Sequence, residues 1–107
     1  MIIQTRSGSE YNVAFSTIRI KSGDIQCLHA FRYGVDGENW DSKCVAVYPD
    51  RVDHFLDSKS FENREGKLVG LNENGNVTCQ FYPEQVKVGM VLVSPKGFRS
   101  TTITKIM

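Results

Sequence analysis

Apolar and polar residues alternate along most of this chain, and groups of glycine, proline, asparagine and serine interrupt the alternation at short intervals. Successive side chains of an extended strand point to opposite faces, so this period of two predicts half-buried β-strands. The clearest runs are 2–5, 11–15, 25–31, 43–48, 67–71, 77–82, 86–93 and 98–107. We therefore predict a mainly β fold, a small barrel or sandwich of about seven or eight short strands.

Turn-forming residues indicate how neighbouring strands are joined. Segments 2–5 and 11–15 are predicted to form a first hairpin, and segments 18–21 and 25–31 a second one with basic side chains on its solvent face. The pair Asn74-Gly75 suits a tight hairpin turn.

One segment has a helical pattern instead. Pro49 can occupy a first helical position, and Asp50 and Asp53 follow where acidic side chains stabilise the positive end of a helix. This predicts one short helix near residues 49–60. A Tyr-Pro-acid sequence begins at Tyr48 and recurs at Tyr82, and we interpret it as two similar strand exits rather than a true repeat.

The segment 34–42 shows neither period and contains two glycines, so it is predicted to be a loop. Its acidic residues Asp36, Glu38 and Asp41 lack the ordered oxygen ligands and closing glutamate of a calcium loop. We expect solvated side chains here and no metal site.

Length and composition are those of a globular domain. The 107 residues have room for one hydrophobic core but not two, and 40% hydrophobic with 23% charged residues is ordinary for a folded protein. Residues 1–107 are expected to form a single β-rich domain.

The charge and the cysteines argue against several classes of protein. A formal net charge of +1 provides no overall field for nucleic acid or a membrane surface. The three cysteines are an odd number at wide spacing, which fits reduced, buried thiols rather than a disulfide framework or a zinc site. Without a signal peptide or a long apolar segment, the expected location is the cytoplasm, with no membrane partner.

Catalytic residues are not indicated. The two histidines, His29 and His54, have no nucleophile-bearing motif beside them. The sequence therefore predicts a protein that is not an enzyme and has no cofactor.

The densest polar cluster runs from Ser94 to Thr102. Lys96 and Arg99 supply positive charge, and Ser100 and Thr101 supply hydroxyl groups that can bind phosphate oxygens. This composition predicts an anion site, although a solvated hairpin loop that continues into the last strand is the simpler interpretation.

A second candidate site combines Arg32 and Tyr33 with Trp40, which could contact the planar part of a ligand. Alternation places Arg32 on the face opposite Tyr33, so part of this set is expected in the core. A weak groove for single-stranded nucleic acid is a further alternative, formed by Arg19, Lys21, Arg32, Lys96 and Arg99 if their strands are neighbours.

The two ends of the chain, Thr5–Val13 and Arg99–Ile106, resemble those of small β-rich bacteriophage proteins. In these proteins a Lys/Arg-Ser-Gly-Ser-x-Tyr hairpin opens the chain, and a Ser/Thr-rich strand ending in Val or Ile closes it. The resemblance implies a phage origin, a compact β fold and an accessory role in the host cytoplasm, such as binding a host enzyme, blocking a defence protein or sequestering a nucleotide signal.

These expectations converge on a phage-type binding protein for a small phosphorylated ligand, a nucleotide or signalling nucleotide. The alternatives are an inhibitor that binds a host or defence protein through a surface patch, and weak binding of single-stranded nucleic acid. Unpaired edge strands also allow association into a homo-oligomer.

Overall fold

The computed structural model describes residues 1–21, 23–33 and 39–107, without the side chains of residues 33, 39 and 40. Its strands are β1 (Ile2–Thr5), β2 (Glu10–Ile20), β3 (Gly23–Tyr33), β4 (Asn39–Val47), β5 (Ser60–Arg64), β6 (Lys67–Leu71), β7 (Val77–Phe81), β8 (Val91–Val93) and β9 (Ile103–Ile106).

Two 3₁₀ turns, Pro49–Arg51 and Pro83–Gln85, follow β4 and β7. Each begins at a proline, whose fixed φ suits the first helical position. The first turn leads directly into a short helix, α1 (Val52–Leu56). Across the described ranges, no helix has the length and apolar character needed to cross a membrane.

The strands form two antiparallel sheets. Six strands in the order β8-β4-β3-β2-β1-β9 form a sheet that curls into a half-barrel, and β5-β6-β7 form a smaller sheet. Hydrogen bonds join the two ends of the large sheet, from the Ile103 N–H to the Met90 carbonyl (2.7 Å) and from the Ser100 N–H to the Leu92 carbonyl (2.9 Å). The predicted mainly β, barrel-like fold with one short helix is confirmed.

The long hairpin of β2 and β3 changes its buried face halfway along. Tyr11 and Val13 are buried in the half nearest β1, whereas farther along Ile18 and Ile20 are half-buried and Thr17 is exposed. Because β3 also contacts β5 and β6, the outer half of the hairpin packs its opposite face against the small sheet. One hairpin thus lines the barrel and supports the second sheet.

This change of face explains one wrong boundary. The sequence predicted a break between segments 11–15 and 18–21, but β2 is continuous from Glu10 to Ile20. The apolar positions shift phase because a different face becomes buried, and the backbone stays extended.

Other boundaries also differ from the prediction. The loop predicted over 34–42 is wrong for its last four residues, which belong to β4 and pair with β3. Asp36 and Glu38 lie outside the described residues. The strand predicted from residue 86 begins only at Val91, since Gly89 lies in a turn with φ of +97°.

The core lies inside the curled sheet and continues towards the small sheet. Ile3, Leu28, Leu92 and Ile103, from four different strands, are each 0% exposed. Phe55 of α1 belongs to the same cluster of buried side chains. Both sheets and the helix therefore share one hydrophobic core.

All three cysteines are free thiols; Cys27 and Cys44 are buried and Cys79 is half-buried. Burial, with the neighbouring Cys27 as a second cause, raises the pKa of Cys44 to about 12. This thiol is therefore protonated at neutral pH and acts as an apolar side chain of the core.

Candidate functional site

An aromatic pair lies on the outer face of the curled sheet. Leu28 and Ala30 of β3 are fully buried in the core, so the alternating residues His29 and Phe31 point outwards. Their ring centroids are 4.2 Å apart and the ring planes differ by 37°. Both residues are half-buried, and the pair provides a partly accessible planar surface.

The register of β4 with β3 sets charged side chains beside this pair. Lys43 lies opposite His29, and Asp41 lies opposite Phe31. An Asp41 carboxylate oxygen is 3.7 Å from His29 Nε2. The Lys43 ammonium group donates a hydrogen bond to the Thr17 carbonyl at 3.3 Å. Because an ammonium group has three protons, Lys43 retains two for another acceptor.

A tight turn after β8 adds a further cation. The Gly97 N–H donates to the Ser94 carbonyl (3.1 Å), and the Lys96 N–H donates to the Ser94 hydroxyl (3.2 Å). Gly97 has φ of +100°, a conformation that other residues rarely adopt. The turn holds the exposed Lys96 side chain near the outer face of β3 and β4.

Together these elements form a groove of about 500 Å³, which we call the lysine groove. Its lining residues are His29, Asp41, Ser42, Lys43, Ser94, Pro95 and Lys96. Its described lining residues include two lysines and one aspartate, so this part of the groove has a positive charge balance. Within the part of the chain that the structure describes, Lys96 forms no ion pair.

Three of the predicted phosphate-binding residues lie in a different groove, of about 410 Å³, which we call the arginine groove. Its lining residues are Arg6, Pro49, Val91, Arg99, Ser100, Thr101 and Thr102. The structure therefore brings Arg99, Ser100 and Thr101 together, but it separates them from Lys96.

The two predicted hydroxyl donors of the arginine groove already have partners. The Ser100 hydroxyl accepts the Leu92 N–H and donates to the Thr101 carbonyl, both at 2.8 Å. The Thr101 hydroxyl donates to Ser7 Oγ at 3.1 Å. A hydroxyl has only one proton, so neither group can donate to a phosphate without losing a bond inside the fold.

Of the residues predicted to contact a planar ligand, Arg32 is among the described lining residues of neither groove. The Arg32 guanidinium lies 5.9 Å from the centre of the Tyr11 ring, on the face of β3 opposite His29. The backbones of Tyr33 and Trp40 belong to β3 and β4. Their side chains lie outside the described part of the structure.

Sequence reasoning missed Ser42 and Lys43 as neighbours of Lys96, and it placed Asp41 in a loop. Alternation within β4 could have assigned Lys43 to a surface face. Its position opposite His29, however, depends on the register of two strands, and local sequence does not specify a register.

The basic residues expected to form a nucleic-acid groove belong to several elements of the large sheet and its turns. Arg19 forms an ion pair with Asp24 (3.3 Å) beside the turn between β2 and β3. Lys96 and Arg99 line different grooves. Neither groove therefore contains more than one of these five residues among its described lining residues.

The histidines lie on separate elements, His29 on β3 and His54 on α1. Among the residues that the structure describes, no three or more His, Cys, Asp or Glu side chains are grouped so that they could hold a metal ion.

Comparisons of this chain with models of protein families, with curated proteins and with solved structures give no match. The similarity of its ends to bacteriophage proteins therefore stays a prediction, and function has to be argued from the site.

Proposed function

We propose that this chain is a non-enzymatic binding protein for a small phosphorylated, planar ligand of the nucleotide class, held in the lysine groove. One observation carries the proposal: Lys43 and Lys96 line the same groove as His29, whose imidazole contacts the Phe31 ring in a tilted arrangement. Cationic donors beside a planar surface match the phosphate and the base of a nucleotide.

The phosphate lies between the two ammonium groups. Lys96 has its full set of protons to donate, and Lys43 has those not used by the Thr17 carbonyl. Hydrogen bonds to charged groups contribute about 1.5–3 kcal/mol each. Both lysines are exposed, so screening by solvent lowers this contribution and we expect about a tenfold effect on affinity for each.

The base packs on the His29 ring, which lines the groove and is in contact with the Phe31 ring. Stacking on an aromatic side chain contributes about 1–3 kcal/mol and tolerates different bases. The Asp41 carboxylate, whose side chain is 64% exposed, can accept a hydrogen bond from an amino group at the edge of the base. The lysine groove thus supplies a partner for each part of the ligand.

The arginine groove supports this function less well. Its charge comes from Arg6 and Arg99, but no aromatic side chain is among its described lining residues. The hydroxyl protons of Ser100 and Thr101 are already used inside the fold.

The resemblance of the chain ends to phage proteins supports a specific role for such binding. A phage-encoded protein that holds a nucleotide without converting it lowers the free concentration of that nucleotide in the host cytoplasm. Sequestration of a signalling nucleotide is therefore the role we propose.

Calorimetric titration at low salt with adenosine and guanosine monophosphates, diphosphates and cyclic dinucleotides tests the proposal. We expect binding of at least one of them, and about tenfold weaker binding by Lys96→Ala and by Lys43→Ala. Lys105→Ala is the matched control, because it removes the same charge from the exposed side of β9. The proposal fails if no ligand binds, or if all three variants bind as the parent does.

A further inference from the structure

The two Tyr-Pro-acid sequences end two strands in the same way. After β4, Tyr48 precedes the 3₁₀ turn Pro49–Arg51, and after β7, Tyr82 precedes the turn Pro83–Gln85. The prediction of two similar strand exits is confirmed. Both exits contribute to a third groove, which the proposed nucleotide site does not use.

This groove, which we call the edge groove, has a volume of about 430 Å³ and runs beside β7. Val77, Thr78 and Gln80 line it from β7, and Tyr48 and Arg51 line it from the first 3₁₀ turn and the residue before that turn. The small sheet therefore ends at a groove instead of at open solvent.

The backbone of β7 has a free side. β7 is the last strand of the small sheet, and its ladder pairs it with β6 alone. Among the described residues, no other backbone hydrogen bond involves Val77–Phe81. The N–H and C=O groups on the outer side of an edge strand are available to an added strand.

Exposed apolar side chains lie on both sides of the edge groove. Tyr48 is 45% exposed and Val77 is 46% exposed. A ligand in the groove would remove both side chains from water, and apolar burial of this kind favours association. A strand laid along β7 would present alternate side chains to them.

The groove also contains one unpaired cation. Arg51 is the sole charged residue among its described lining residues, and no ion pair of the described residues involves it. A guanidinium group binds a carboxylate with two parallel hydrogen bonds. The charge of the groove therefore complements an acidic side chain.

We propose that the edge groove binds an extended segment of a partner protein as an added strand along β7. An apolar side chain of this segment packs between Tyr48 and Val77, and an acidic side chain binds Arg51. This surface is independent of the lysine groove and gives the chain a means of engaging a protein.

A second copy of this chain fits the groove less well than a single peptide strand. Edge-to-edge pairing of two sheets needs an edge that is open on its outer side. Here Tyr48 and Arg51 line the same groove as β7, so a sheet that continued beyond an added strand would have to displace their side chains.

Selection from a displayed library of random heptapeptides tests this inference. We expect enriched peptides to have one acidic residue and an apolar residue two positions away, the spacing that places both on one face of a strand. Bound peptide should slow hydrogen exchange of the Val77–Phe81 amides, and N-methylation of alternate peptide residues should abolish binding, because backbone hydrogen bonds are lost.

Arg51→Glu provides the decisive variant. It should weaken binding of the selected acidic peptides about tenfold or more and favour peptides in which lysine replaces the acidic residue. Arg99→Glu, the same change in the arginine groove, should leave binding unaltered. Selection of no peptide, or of peptides that ignore Arg51→Glu, would overturn the inference, as would a concentration-dependent dimer that Arg51→Glu dissociates.

Discussion

Ser100 and Thr101 show how bonds inside a fold limit what a residue can offer to a ligand. Both are of the residue type that binds phosphate, and both line a groove with two arginines. Their protons nevertheless go to the Thr101 carbonyl and to Ser7 Oγ. A lysine differs because one internal bond, such as that of Lys43, leaves protons for an external acceptor. The number of N–H and O–H groups free to donate to a phosphate therefore favours the lysine groove over the arginine groove as the ligand site.

Gly70 is a single position at which the packing requires the absence of a side chain. A Cβ atom there would lie 2.7 Å from Cys79 Sγ and closer still to Ser58 Oγ. We expect Gly70→Ala to lower the free energy of unfolding by about 1–3 kcal/mol, because this buried site cannot accept a methyl group unless the Ser58 and Cys79 side chains move. Urea unfolding followed by circular dichroism measures the loss.

Ser58→Ala serves as the partner in a double-mutant cycle for Gly70. It removes the closest atom, so Gly70→Ala should cost about 1 kcal/mol less in the Ser58→Ala background than in the parent. Equal costs in both backgrounds would show that contact with Ser58 is not the cause.

Among the secondary-structure elements, β2 and β5 show what local sequence could not predict. Strand identity followed from alternation and turn residues along most of the chain. The unbroken length of β2 did not, because its buried face changes and shifts the apolar phase. β5 is polar, and it exists because the turn Glu65-Gly66, both residues with positive φ, pairs it with β6. Pairing supplied by the rest of the fold decided both elements.

The candidate site depended even more on pairing between elements. The sequence indicated Lys96 as an anion-binding residue. The sequence placed Asp41 in a loop, and it did not place Lys43 beside Asp41 or Lys96. These side chains meet through the register of β3 with β4 and through the turn after β8, which are contacts distant in sequence.

The conformation of the turn that carries Lys96 can be tested without changing Lys96 itself. Gly97→Ala introduces a side chain at φ of +100° and should cost about 1 kcal/mol of stability. Because the turn must relax, Lys96 is displaced and nucleotide affinity should fall about as far as in Lys96→Ala. Calorimetric titration together with urea unfolding measures both effects.

Gly75→Ala is the matched control for this turn. Gly75 also has a positive φ, +80°, but it lies in the turn between β6 and β7. The change should reduce stability by a similar amount and leave nucleotide affinity intact. If both variants lose affinity equally, the effect comes from general destabilisation and not from the position of Lys96.

On the scale of the whole molecule, strands from opposite ends of the chain close the curled sheet. β1 pairs with β9, and the Met107 N–H donates to the Ile2 carbonyl at 2.8 Å. The segment before β9 also bonds to β8, so it joins two edges of the same sheet. Both grooves of the large sheet include residues of this closing region, the turn at Lys96 in one and Arg99 to Thr102 in the other. Closure of the sheet is thus a condition for forming either groove.

Ile103 lies at the centre of this closure and provides its test. It is 0% exposed, its N–H donates to the Met90 carbonyl and its carbonyl accepts the Gly89 N–H. We expect Ile103→Ala to lower the free energy of unfolding by about 2–5 kcal/mol. Ile106→Ala, at a half-buried position of the same strand, should cost about 1 kcal/mol. Urea unfolding measures both losses. A large loss for Ile103→Ala in a single cooperative transition shows that the contact between β8 and β9 unfolds with the rest of the core. Similar small losses for the two variants would mean that this contact contributes little to stability.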